Sequence, residues 1–266
     1  MKWAGGKRQL LPELLKYIPE YNTYYEIFLG AGALFFELQP SKAVINDCNS
    51  ELMNVYEVIS LYPKSFIIQL EAININTEEH YYSIRNMDRK EDWNNYSHAF
   101  KAARTLYLNK NGFNGLYRVN SKGQFNVPYG KHKNEMRIEK DLFFAINNYF
   151  WKNDIEILCA DFEEAVKTAQ KGDFVFCDPP YYPISKTSSF TSYTQKGFKE
   201  EDHLRLHRVL CELDERGVNF LLCNSYCQFN LELYKDFNII EVKANRCINP
   251  KPNKRGKIKE IIVKNY

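Results

Sequence analysis

The chain has 266 residues, of which 44% are hydrophobic and 26% charged, with a net charge of +3. That length and composition support a sizeable core, so a folded rather than a disordered chain is expected. No run approaches the ~20 apolar residues of a membrane span, and seven cysteines without a C-x-x-C pair argue against a zinc ribbon or a disulfide frame and for a reducing cytoplasm.

The first residues, MKWAGGKRQLL, contain no apolar core of a secretory signal, so none is expected. Short apolar runs then recur as buried parallel strands: 24–28 (YYEIF), 43–46 (AVIN), 155–160 (IEILCA), 174–177 (FVFC) and 218–223 (VNFLLC). Helical patterns lie between them at 7–16, 31–39, 162–170 and 200–216. The alternation predicts an α/β sheet with helices on both faces. Residues 237–244 and 258–264 predict a closing β-hairpin around a basic loop.

Residues 48–153 interrupt this rhythm where one crossover helix would suffice. Patterns at 51–70, 78–86 and 96–109 predict an inserted helical domain. Its last part, 109–137, is rich in Gly, Asn, aromatics and bases, and structureless loops of that length are usually functional. The predicted organisation is a catalytic domain of 1–50 with 151–266, and an inserted domain of 51–150 carrying a hairpin loop at 109–137.

Charge is local rather than global. Lys101–Arg137 holds eight basic residues against Glu135, and Lys243–Lys259 holds seven with no acid. Two such patches on a near-neutral chain point to a polyanionic partner. Cys159, Cys177 and Cys223 sit in apolar runs and read as small core hydrophobes. His203 and His207 share a helix face, but no third ligand is evident, so they read as a solvated face and no metal is expected.

The strand ends carry the chemistry. The first strand leads into FLGAG, and three others into Asp47, Asp161 and Asp178. Ligands of open α/β sheets bind at such ends. Gly30 and Gly32 permit a tight turn and close backbone approach, and Asp47 is placed for a ribose diol. The third glycine of the dinucleotide fingerprint is missing, which favours an adenosyl ligand without phosphates. In DPPY, Asp178–Tyr181, the prolines fix the backbone. They hold the Asp178 carboxylate and the Pro179 carbonyl as acceptors for an NH2 group, beside the flat Tyr181 ring on which a base can stack.

With KWAGGK (2–7), FLGAG (28–32), NDCN (46–49), NGFNGLYRVNSKGQFNVPYG (111–130) and DPPY (178–181) in this order, the chain resembles the Dam-like DNA adenine methyltransferases. The resemblance is to the GATC-specific type of D12 class N6-adenine methyltransferases. It implies a Rossmann-like methyltransferase sheet with an inserted helical DNA-recognition domain, and S-adenosylmethionine as methyl donor. The cofactor would be bound by Trp3, Lys7, Phe28, Gly30, Ala31, Gly32, Asp47, Asp161, Phe162 and Asp178. The catalytic set would be Asp178, Pro179, Pro180 and Tyr181, acting on an adenine flipped out of double-stranded DNA. Lys2, Phe113, Asn114, Leu116, Arg118, Lys131, His132, Lys254 and Arg255 would contact DNA, with Arg118 reading a guanine edge. Phe113 stands where the family commonly has tyrosine, and His132 where it has an aromatic.

The implied protein is a cytoplasmic monomer, with a cognate restriction enzyme as a possible companion. Other adenine sites, the cytosine amine, RNA and protein amides are the rival substrates. Asp178 favours adenine, since cytosine enzymes mostly carry serine there and amide enzymes asparagine. A non-catalytic DNA-binding protein or a dinucleotide oxidoreductase fits the intact DPPY motif less well.

Overall fold

The structure is a computed structural model that describes residues 1, 3, 6–183, 197–245 and 257–266. Seven strands form among them: β1 (Tyr24–Glu26), β2 (Lys42–Asn46), β3 (Asp154–Leu158), β4 (Phe174–Cys177), β5 (Asn219–Ser225), β6 (Asn238–Asn245) and β7 (Lys257–Lys264). The described residues gather into two compact units, one drawn from 5–46, 160–191 and 198–266, the other from 1–4, 47–159 and 192–197.

The first unit is built on strands in the order β2-β1-β4-β5-β7-β6. β1 runs parallel to β2 (Tyr25↔Val44) and to β4 (Tyr25↔Val175), and β4 runs parallel to β5 (Val175↔Phe220). Every residue of β1 and β4 is buried, as expected of central parallel strands covered on both faces. This is the mixed, mostly parallel Rossmann-like sheet that the alternating pattern predicted. The terminal hairpin also forms, with β6 and β7 antiparallel through Ile240↔Ile262. Its placement was not foreseen: β7 enters between β6 and β5, pairing with β5 through Leu222↔Val263. Ile261, Ile262 and Val263 are fully buried there, each worth roughly 1.5–3 kcal/mol.

Several helices are shorter than their patterns. The predicted 7–16 helix breaks into Lys7–Gln9, Leu11–Leu14 and Leu15–Tyr17, and the predicted 162–170 helix is the single turn Phe162–Ala165. Helix Glu200–Glu215 matches its pattern, but His203 is 1% exposed, so the solvated face expected at that position is wrong. Its ring packs edge-on against Phe198 at 4.8 Å, and burial pushes its pKa down to about 4.

The second unit is helical with β3. Asn49, Thr77 and Ser97 cap helices Ser50–Leu61, Glu78–Arg85 and His98–Asn111 by accepting backbone N–H bonds. The single helix predicted over 51–70 is two, ending at Leu61 and restarting at Pro63–Ile73, because the residue before a proline is pushed out of helical geometry. A further helix, Lys140–Lys152, was not predicted. Phe66, Leu70, Tyr81, Ala102, Ala103 and Tyr107 form the centre of this core. Cys159, read as a core residue, is exposed, whereas Cys177 and Cys223 are buried. Among the described residues no helix is long and apolar enough to cross a membrane, and no metal-binding cluster forms.

Candidate active site

β1 and β4 are adjacent and parallel, so the residues that follow them emerge at one edge of the sheet. After β1, the Gly32 N–H bonds the Leu29 carbonyl at 2.7 Å in a tight turn. Gly30 and Gly32 take φ of 51° and 64°, values that strain any residue with a Cβ. A Cβ on Gly32 would also lie 3.1 Å from the Phe36 ring. The turn presents Phe28, whose ring meets Phe162 at 5.5 Å and Phe198 at 5.8 Å, with Phe162 and Phe198 6.1 Å apart. Phe198 is a member of this aromatic box that sequence reasoning missed, since it follows no strand and belongs to no motif.

Asp178 leaves β4 directly. Its carboxylate Oδ1 lies 2.7 Å from Lys7 Nζ, with side-chain exposures of 18% and 8%. Burial raises the Asp178 pKa to about 6, against the opposing pull of Lys7. Burial also pushes the Lys7 amine down, but Asp178 and its neighbours outweigh it and hold the pKa above its ordinary value. Lys7 therefore stays a cation. Its ammonium also stands 4.5 Å from the centre of the Tyr181 ring, a favourable cation–π distance. The sequence motif brought Asp178 and Tyr181 together, while the approach of Lys7 is a tertiary fact.

Pro179 is buried and Pro180 half-buried. The chain beyond them is pinned from the end of β5, a role no motif signalled. Asn224 Oδ1 accepts from the Tyr182 N–H at 3.1 Å, and Ser225 Oγ donates to the Tyr182 carbonyl at 2.7 Å. The Tyr182 ring stacks on Phe229 at 4.1 Å. The DPPY segment is thus held by proline at one end and by β5 at the other.

A second carboxylate lies inside the sheet. Glu26 of β1 is 2% exposed and accepts from Tyr24 Oη at 2.6 Å. Burial, with a contribution from the nearby Asp178 charge, raises its pKa from 4.5 to about 8. A carboxyl whose folded pKa lies above its unfolded one stabilises fully below the unfolded value, and the benefit is lost as pH rises through the folded value. Wild-type stability is therefore expected to fall between about pH 5 and 8, by at most about 1.4 kcal/mol per pH unit from this group. Glu26→Gln keeps an acceptor for Tyr24 and removes the charge. Urea unfolding at several pH values should show that share of the slope gone; an unchanged slope would refute the assignment.

Asp161 caps the turn Phe162–Ala165 through the Glu163 N–H and takes an Arg205 Nη2 contact at 2.8 Å. Arg205 also pairs with Glu163 and lies 4.8 Å over the Phe162 ring. Arg205, absent from the sequence reading, therefore braces both Asp161 and Phe162.

Apart from Ala31, between the two turn glycines, the other described site residues lie in the helical unit. Trp3 stacks on Tyr117 at 5.2 Å, and the half-buried Asp47 accepts from the Asn49 N–H at 3.0 Å. The 109–137 segment folds back on itself. Phe113 N–H bonds the Pro128 carbonyl, Asn126 N–H bonds the Arg118 carbonyl, and a turn at Asn120–Gln124 closes the tip. Asp88 and Arg89 bond the Phe125 backbone, and Asp88 pairs with the buried Arg104, which straps the hairpin to its helices. Phe113 is 50% exposed, and Asn114, Lys131 and His132 are exposed too. Arg118 and Leu116 are half-buried, and Arg118 Nε donates to Asn126 Oδ1 at 2.7 Å. Lys2, Lys254 and Arg255 lie outside the described residues.

Comparison of the sequence with known proteins matches the chain to one family. The sequence profile of the D12 class N6 adenine-specific DNA methyltransferases matches residues 3–248. The Type II methyltransferase M1.LlaDCHI of Lactococcus lactis subsp. cremoris is 51% identical, over 100% of this chain and 94% of the relative. The Type II methyltransferase M.MjaIII of Methanocaldococcus jannaschii is 38% identical, over 100% of this chain and 98% of the relative. The DNA adenine methylase of Escherichia coli strain K12 is 31% identical, over 99% and 93%. The chain is an adenine-specific DNA methyltransferase and belongs to the D12 class N6 adenine-specific family.

Proposed function

We propose that the enzyme transfers a methyl group from S-adenosylmethionine to the 6-amino group of adenine within GATC in double-stranded DNA, with the base flipped into the pocket of Asp178–Tyr181. The observation that carries this reading is the Lys7 ammonium resting 2.7 Å from Asp178 and over the Tyr181 ring. The site already accepts a nitrogen donor beside an aromatic face, which is what an exocyclic amine on a purine requires.

The residues suit the cofactor. Phe28, Phe162 and Phe198 make an aromatic box for a purine, and Asp178 supplies negative charge near a cationic ligand. When bound, S-adenosylmethionine supplies an electrophilic methyl group on a positively charged sulfur. Asp178 and the Pro179 carbonyl accept hydrogen bonds from the adenine amine, which keeps electron density on a nitrogen otherwise delocalised into the ring. Tyr181 holds the ring by stacking, worth roughly 1–3 kcal/mol. No side chain forms a covalent bond, so rate comes from orientation and preorganised charge. Lys7, Gly30, Ala31, Gly32 and Asp161, with Trp3 and Asp47, are the remaining cofactor residues that the family resemblance implies.

In this reading the sheet unit catalyses and the helical unit recognises DNA. Arg118 reads guanine, Asn114 and Leu116 touch neighbouring bases, Phe113 fills space near the flipped position, and Lys131 and His132 lie along the backbone. Lys2 meets the first base pair, and Lys254 and Arg255 meet phosphates. The two relatives named Type II methyltransferases favour a role as the modification partner of a restriction enzyme, and the same reading has the enzyme act as a cytoplasmic monomer.

The test is a methylome. The protein is expressed in a host without adenine methylation, and a plasmid is sequenced by a method that reports modified bases. Methylated adenine at GATC is the expected result. Methylation at another motif would overturn the reading of Arg118 and its neighbours. Unmodified DNA, with cofactor binding intact, would overturn the substrate.

A further inference from the structure

We infer that Glu260 is a positioning residue for methyl transfer, acting through the Tyr181 hydroxyl; the inference rests on the reading of Asp178–Tyr181 as the pocket for the target base. Glu260 lies on β7, opposite Ser225 of β5 and Val242 of β6. The three residues after it are fully buried and apolar. A carboxylate next to such a run costs free energy unless it is hydrogen-bonded. Here it is: Tyr181 Oη donates to Glu260 Oε2 at 2.8 Å. The neighbouring Lys259 is exposed and paired with Glu241, so it does not share this arrangement.

The bond sits where it controls the ring best. The two prolines fix the backbone before Tyr181, and the pinned Tyr182 fixes it after. Neither constrains rotation of the tyrosine side chain. A hydrogen bond at the phenol tip, far from the backbone, does so with the longest lever. A phenylalanine ring would stack on a base as well as a tyrosine ring, so the hydroxyl has this separate use. Lys7 completes the set, since it lies over the same ring, pairs with Asp178 and has its charge favoured by Glu260. Asp178, Tyr181, Lys7 and Glu260 therefore form one connected cluster drawn from three separate stretches of chain.

The experiment compares Glu260→Ala, Glu260→Gln, Tyr181→Phe and the Glu260→Ala/Tyr181→Phe double variant with wild type. It measures kcat, the KM for each substrate, and the fluorescence of 2-aminopurine at the target position of a duplex. Wild type must first methylate adenine and brighten the probe; if it does neither, the pocket reading itself fails. Glu260→Ala is expected to lower kcat roughly 10- to 100-fold, the cost of a misplaced group, with the KM for cofactor unchanged. The probe should be brighter than in wild type, because a loosened ring stacks on it less. Glu260→Gln keeps an acceptor for the phenol and should restore most of kcat, even if the alanine variant fails to fold. The double variant should be no worse than the poorer single one. A wild-type kcat in Glu260→Ala, a Glu260→Gln as damaged as the alanine variant, or additive effects in the double variant would each overturn the inference.

Discussion

Alanine in place of Asp178 is expected to abolish methyl transfer, by about a thousandfold or more, while DNA binding is largely retained. The magnitude follows from removing a preorganised charge that, in the proposed mechanism, faces the reacting amine, typically worth two to four powers of ten. The structure adds a second consequence. Lys7 loses its 2.7 Å partner inside a site where it is 8% exposed, so a buried cation is left with less compensation and the melting temperature should fall. Filter binding on a GATC duplex, calorimetric cofactor titration and turnover separate the effects. Turnover within tenfold of wild type would refute the role of the carboxylate. A related signature needs no mutation. With the Asp178 pKa raised to about 6, the acceptor is lost as pH falls through that value, so kcat/KM should drop on an acid limb near pH 6.

Arg118→Ala should cost discrimination rather than grip. A bidentate arginine–guanine contact is worth roughly 1–3 kcal/mol, or about 5- to 150-fold against a wrong base. Asn126 bonds Arg118 twice, to Nε at 2.7 Å and to Nη2 at 3.2 Å. That clamp fixes the plane of the guanidinium on a hairpin itself strapped by Asp88 and Arg89. Methylation rates on single-base variants of GATC should converge in the alanine variant, with non-specific affinity little changed. Unchanged discrimination would remove Arg118 from the reading of sequence.

What was legible in the chain was what is local. FVFC is a strand because four consecutive apolar residues fit a sheet covered on both faces, and β4 is those four residues. The glycines of FLGAG fit positive φ, and they have it. The break at Tyr62 was missed, although Pro63 marks it, because the apolar pattern of 51–70 runs across it. The Lys140–Lys152 helix was not, because Leu142, Phe144 and Trp151 are exposed and blur its apolar face. His203 was misread because a helix pattern does not say that Phe198, Tyr182 and Phe229 will enclose a ring. Glu26 and Glu260 were passed over as the polar members of apolar strands. The partner of Glu260, Tyr181, is known only once strand order is known, and the Tyr24–Glu26 pair, two apart on β1, only once that strand is known to be buried. The insertion of β7 beside β5 has no local signal at all.

That insertion bears on how the enzyme comes into being. Lys7 and Glu260 are separated by almost the whole chain, yet they meet at one tyrosine. Closing so long a loop is entropically costly and makes such contacts slow to form. β1, β2 and β4 can pair on the ribosome, but the Tyr181 hydroxyl meets Glu260 only once β7 has been synthesised and has slotted between β5 and β6. The positioning proposed for Tyr181 is therefore a late event in the birth of the molecule. A chain halted before residue 260 would hold its motifs intact and still lack the finished pocket.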